Sequence, residues 1–101
     1  MHVVTNRVYV HPDWHEEFEK RFRARAGKIE SQPGFRRMNI LKPLSDDTPY
    51  IVYTEWESEE DFRQWVGSED FKAAHRNPLP EEAFSKKGAL EQHQIIISAA
   101  R

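Results

Sequence analysis

Tyr50-Ile51-Val52-Tyr53-Thr54-Glu55-Trp56-Glu57-Ser58-Glu59-Glu60-Asp61-Phe62 is the stretch on which the fold turns. Its first seven residues are rich in β-branched and aromatic side chains, and alternation puts Tyr50, Val52 and Trp56 on one face of a strand with Ile51 and Tyr53 on the other. Ser58 then reads as the cap of a helix. Glu59, Glu60 and Asp61 fill the first turn, where the helix dipole favours negative charge, and Phe62, Trp65 and Val66 form the inner face.

Working outward, Phe35 to Lys42 reads as an antiparallel partner strand, joined to the first through Pro43 and the polar turn Ser45-Asp46-Asp47-Thr48-Pro49. Upstream, Val3 to Val10 alternates as a strand with Val4, Asn6, Val8 and Val10 on one face. A helix follows Pro12: Asp13 is placed to cap it with Glu16 as in a capping box, and Trp14, Phe18, Phe22, Ala26 and Ile29 fall near helical spacing. Pro33-Gly34 stops it. Downstream, Gly67-Ser68 interrupts the second helix, and Ser68 caps a short continuation through Phe71, Ala74 and His75 that ends at Asn77-Pro78 and Pro80. A polar loop of about ten residues follows, and Leu90 to Ile97 reads as the last strand. The order strand, helix, strand, strand, helix, strand predicts an α+β, ferredoxin-like domain over 1–101: a four-stranded antiparallel sheet with two helices on one face.

Two helices cover only one side of such a sheet. The other side carries Ile51 and Tyr53, and the last strand is apolar on both faces at Ile95, Ile96 and Ile97, whereas a strand facing water alternates cleanly. A homodimer packing sheet on sheet, a dimeric α/β barrel, repairs this and adds burial to a domain of only 101 residues. Stray apolar residues on edge strands are the plainer alternative.

Charged residues of both signs make up 32% and leave a formal net charge of -2, so there is no basic field to attract nucleic acid. With no cysteine, a disulfide framework, a thiolate ligand and an iron–sulfur cluster are excluded, and metal chemistry must rest on His or carboxylate. No run approaches the ~20 apolar residues that span a bilayer; the expectation is a cytoplasmic protein with no membrane partner.

Three residues stand out. Asn6 is polar on an apolar strand face, Trp65 is a large aromatic on an inner helix face, and His75 lies at a helix end. Each has an ordinary reading: an amide bonded to backbone, core packing, and a capping imidazole. Together they can line one cavity between sheet and second helix, supplying an axial nitrogen, a flat aromatic wall and a hydrogen-bond donor, which are the parts a haem site needs. Substrate carboxylates would then want cations, and Arg21 and Arg25 lie one turn apart beside Phe22. They equally suit a solvated helix stripe. His11 and His15 have a helix start between them, and no phosphate loop, nucleophile elbow or HExxH motif is present.

Thr5-Asn6-Arg7, Phe18-Glu19-Lys20-Arg21-Phe22, Gln32-Pro33-Gly34-Phe35, Trp56 to Phe62, Trp65 and Phe71 to Arg76 together resemble the antibiotic biosynthesis monooxygenase (ABM) superfamily, and within it the IsdG-like haem-degrading monooxygenases. The resemblance covers nearly the whole chain. It implies His75 as proximal iron ligand, Trp65 pressing the porphyrin out of plane, and Asn6 bonded to the distal iron-bound ligand; Arg21, Phe22 and Arg25 stay candidate haem-binding residues on the carboxylate argument alone. The implied reaction uses haem as cofactor and substrate, with dioxygen and an external electron donor from an unidentified reductase, and opens the ring to release iron. Two other readings stay open: a cofactor-independent quinol-type monooxygenase, in which His75 is incidental, and a non-catalytic haem-binding dimer.

Overall fold

The computed structural model describes residues 1–25 and 28–101; Ala26, expected on the inner face of the first helix, lies outside them. Strands β1 (His2–Val10), β2 (Phe35–Leu41), β3 (Tyr50–Trp56) and β4 (Phe84–Gln94) form one sheet in the order β2-β3-β1-β4, each antiparallel to its neighbour. Helices α1 (His15–Arg25), α2 (Glu59–Val66) and α3 (Glu69–Ala74) lie over one face. This is the ferredoxin-like arrangement that the element order predicts.

Local chemistry explains most of the boundaries. Ser58 Oγ accepts the Asp61 N–H at 3.1 Å and starts α2, and Ser68 Oγ accepts the Phe71 N–H at 3.1 Å and starts α3. Gly34 holds φ at +77°, and a β-carbon there would lie 2.1 Å from an Asp61 carboxylate oxygen. Only glycine suits the turn into β2. A bulge between Phe35 and Arg37 lets Phe35 and Met38, three apart in sequence, pair with Trp56 and Thr54 on the helix-covered side.

Two expectations need correction. The first helix is entered through a 3-10 turn at Pro12–Trp14 whose cap position is His11, with no side-chain cap bond, so Asp13 does not act as the cap. Proline at the first helical position lacks only an N–H that would have been unsatisfied, and this sets the start. The second correction concerns β4, which begins at Phe84 rather than Leu90 and ends at Gln94, leaving Ile95 to Ile97 beyond it. Ile95 still donates its N–H to the Met1 carbonyl at 2.9 Å, but Ile96 and Ile97 are each 83% exposed. The polar run Ser85-Lys86-Lys87-Gly88 resembles a loop because its alternation is broken by register shifts against β1 between Arg7 and Val10. Gly88 makes the irregular pairing possible, since a β-carbon there would sit 2.1 Å from the Arg7 carbonyl oxygen.

Two core clusters form between sheet and helices. One joins Val4, Ile29, Trp56 and Trp65 with Phe35, Met38, Phe62 and Phe71 packed against it; the other joins Val10, Phe18 and Tyr50 with Phe22, Ile40 and Leu79 among its neighbours. On the opposite face, Ile51 and Tyr53 are half-buried and Leu41 is exposed, interspersed with the ion pairs Arg7–Glu91 and Arg37–Glu55. Among the described residues, no helix is long and apolar enough to cross a membrane.

Candidate active site

A cavity of about 260 Å³ opens between the two core clusters. The sheet register builds its floor: Asn6 stands opposite Val52 on one side and Leu90 on the other, with Val4 and Thr54 one pair further along. Phe22 and Arg25 of α1 form one wall, and Trp65, Phe71 and His75 form the other. Asn6, Phe22, Arg25, Trp65 and His75 are therefore brought together from four separate elements. Arg21 is not among them. Its Nε pairs with Glu17 at 3.1 Å and its guanidinium donates to the Asn77 carbonyl, so it ties α1 to the chain beyond α3.

Each of the three principal residues is held in a definite way. Asn6 is half-buried on the cavity floor, and no hydrogen bond of its amide is found among the described residues. Trp65 is buried, stacked on Trp56 with centroids 6.5 Å apart and edge-on to Phe71 at 5.4 Å. Trp56 is itself fully buried and its indole N–H donates to Thr54 Oγ1 at 3.0 Å, so Trp65 is backed by a packed and hydrogen-bonded ring.

His75 follows the last residue of α3, and its Nδ1 lies 2.8 Å from the Phe71 carbonyl oxygen. A carbonyl only accepts, so Nδ1 carries the proton, and in the neutral imidazole Nε2 keeps its lone pair for a ligand. Among the described residues it is the histidine that lines this cavity. His2 bonds to Gln92, His15 faces the Val10 carbonyl, and His93 is on the opposite sheet face beside Val3.

The walls are apolar and the charged lining is cationic. Arg25 stacks on the Phe22 ring with its guanidinium carbon 4.9 Å from the centroid, and burial, followed by the neighbouring Arg21 charge, pulls its pKa down. Lys28 also lines the cavity. Sequence reasoning missed it; the available signal was its place one helical turn beyond Arg25. An apolar slot with one free imidazole nitrogen, an amide open to the cavity and cations along one side suits a flat apolar ligand carrying carboxylates. Among the described residues, no group of three or more His, Asp or Glu side chains is placed to hold a bare metal ion.

Fold and cavity together define a small oxygenase-type α+β domain, and the chain belongs to the antibiotic biosynthesis monooxygenase family, which its residues 1–77 match. It is 40% identical over 79 residues, 76% of this chain and 75% of the relative, to a heme oxygenase (staphylobilin-producing) of Staphylococcus haemolyticus. It is 41% identical over 66 residues, 62% of this chain and 63% of the relative, to a heme oxygenase (mycobilin-producing) of Mycobacterium tuberculosis. Among solved structures, the heme-degrader MhuD from Mycobacterium tuberculosis, with two hemes bound in its active site, superposes with a TM-score of 0.81 at 29% identity, covering 99% of this chain and 100% of that one.

Proposed function

We infer that the chain is a haem-degrading monooxygenase, for which haem is both substrate and the source of the reactive iron. Its similarity to heme oxygenases of two bacterial genera supports the activity. The observation that carries the reading in the chain's own geometry is the His75–Phe71 hydrogen bond, which leaves Nε2 of a cavity-lining imidazole free. Haem supplies the iron at which dioxygen is reduced by an external donor; the protein's part is to hold, orient and shield the ring.

In this reading His75 would hold the haem iron through Nε2. Trp65, stacked on the fully buried Trp56, would present a packed aromatic wall to the porphyrin. Asn6, on the cavity floor, would offer its amide as a hydrogen-bond donor to the bound haem. Phe22 packs against the ring edge, and Arg25 and Lys28 take the propionate carboxylates. Arg21 acts at one remove, fixing the chain after His75 through the Asn77 carbonyl. Arg25 and Lys28 both line the cavity of about 260 Å³, so carboxylates of a bound ring would meet cations there. The proposal extends to a cytoplasmic homodimer served by a separate reductase.

Hemin added to the purified protein tests this directly. Under the proposal a histidine-ligated Soret band forms and then decays on adding a reductant in air, with loss of iron from the ring. A stable band under the same conditions would favour a haem-binding protein without turnover. No band at all would favour oxidation of another aromatic substrate.

A further inference from the structure

We propose that Phe71 is a positioning residue: its ring and carbonyl together fix the plane of the His75 imidazole relative to Trp65. The proposal rests on the haem reading, in which these two side chains act on one porphyrin.

Ser68 sets the arrangement. Its hydroxyl donates to the Trp65 carbonyl at 2.7 Å and accepts the Phe71 N–H at 3.1 Å, so the end of α2 and the start of α3 are held by a single side chain. The direction in which Phe71 leaves the backbone is thereby fixed relative to Trp65. Its ring stands nearly perpendicular to the indole, at 88° and 5.4 Å between centroids, and stacks on the imidazole at 28° and 4.1 Å. The Phe71 carbonyl also takes the Nδ1 proton at 2.8 Å.

The two contacts constrain different motions. A hydrogen bond to Nδ1 fixes where that atom lies but leaves the imidazole able to rock about the bond, and a stacked ring removes the rocking. Because the same ring abuts Trp65, the imidazole plane and the indole are locked at one mutual angle. A ligand plane and a pressing surface held in fixed relation present the porphyrin in one orientation, and productive geometry of this kind is sensitive to small displacements. Phe71 also packs against the cluster of Val4, Ile29, Trp56 and Trp65, so core filling is the plainer role to be separated from positioning.

Substitution of the ring leaves the carbonyl in place, which makes the separation possible. Phe71→Leu keeps the apolar volume and the Nδ1 hydrogen bond but loses the stack; Phe71→Tyr keeps the stack. The leucine variant is expected to bind hemin within about threefold of the parent while turnover falls on the order of tenfold. The haem-methyl NMR shifts of its cyanide-ligated ferric complex, which report the imidazole plane, should move, and Phe71→Tyr should return both to parental values. Unchanged methyl shifts and turnover in Phe71→Leu would overturn the proposal, as would a loss of hemin affinity and thermal stability that parallels the loss of turnover. Should the leucine variant not fold, Phe71→Met replaces it with the same readouts. Failure of the haem reading itself is visible separately, as the absence of any Soret band when hemin is added to the parent protein.

Discussion

The Phe71 carbonyl oxygen and His75 Nδ1, one helical turn apart and separated by 2.8 Å, fix which nitrogen of the imidazole carries the proton. A capping histidine at a helix end and a metal-binding one look alike in sequence. Here His75 is both: its Nδ1–H caps the preceding turn at the Phe71 carbonyl, and the same bond leaves the Nε2 lone pair available to a ligand. His75→Ala should abolish the parental hemin spectrum and stop haem turnover, with stability lowered by only about 0.5–1.5 kcal/mol, the worth of the lost Nδ1 hydrogen bond to Phe71. Visible spectroscopy with a urea titration reads both, and imidazole supplied in solution should restore the band. An unchanged Soret band would remove His75 as the ligand.

Asn6 occupies the centre of the sheet between Val52 and Leu90, facing the cavity. Asn6→Ala should leave hemin affinity within about tenfold, roughly 1.4 kcal/mol, and slow degradation by a larger factor. Equal losses in binding and rate would make the amide structural.

Tyr50 and Glu19 form the polar contact of the second core cluster. The fully buried phenol donates to the Glu19 carboxylate, which Lys42 also pairs at 2.9 Å. The Tyr50 bond, followed by the one from Lys42, lowers the Glu19 pKa, while burial and then the bond to Glu19 raise that of Tyr50. For the carboxylate, stability is present above its unfolded pKa and lost as pH falls through the lowered folded value. For the phenol it is present below the unfolded pKa and lost as pH rises toward the raised one. Tyr50→Phe should cost roughly 1–2 kcal/mol at neutral pH, since a hydrogen bond to a charged group is lost while Lys42 still serves Glu19. The difference from the parent should shrink as acid protonates Glu19. Urea midpoints measured from neutral pH down through the carboxylate range check the sign, and a gap that widens in acid would contradict it.

On the sheet face away from the helices, Ile51 and Tyr53 remain half-buried and Leu41 is 48% exposed. We expect a homodimer through this face at micromolar concentration, by sedimentation equilibrium. The two arginine–glutamate pairs on the same face argue for a partner that meets charge as well as apolar surface. Leu41→Asp should shift the equilibrium toward monomer. A monomeric parent protein would leave the apolar residues of β3 as ordinary surface.

What could be read from the sequence alone was what short-range physics controls. Alternation gave β1 and β3, the two serine caps gave α2 and α3, and Pro33-Gly34 marked the turn into β2, because each signal lies within a few residues of the structure it makes. The same reach explains the failure at β4: its start at Phe84 depends on Gly88 passing close to the Arg7 carbonyl, a contact between strands far apart in the chain. Asn6, Trp65 and His75 could be named as candidates from residue type and resemblance. Their convergence on one cavity was decided by the tertiary structure, through the pairing of β1 with β3 and β4. It also separated Arg25, on the cavity wall, from Arg21, which holds the Asn77 carbonyl; residues four apart share a helix face but stand about 6 Å apart along the axis, and only the packed molecule says which neighbour each one meets.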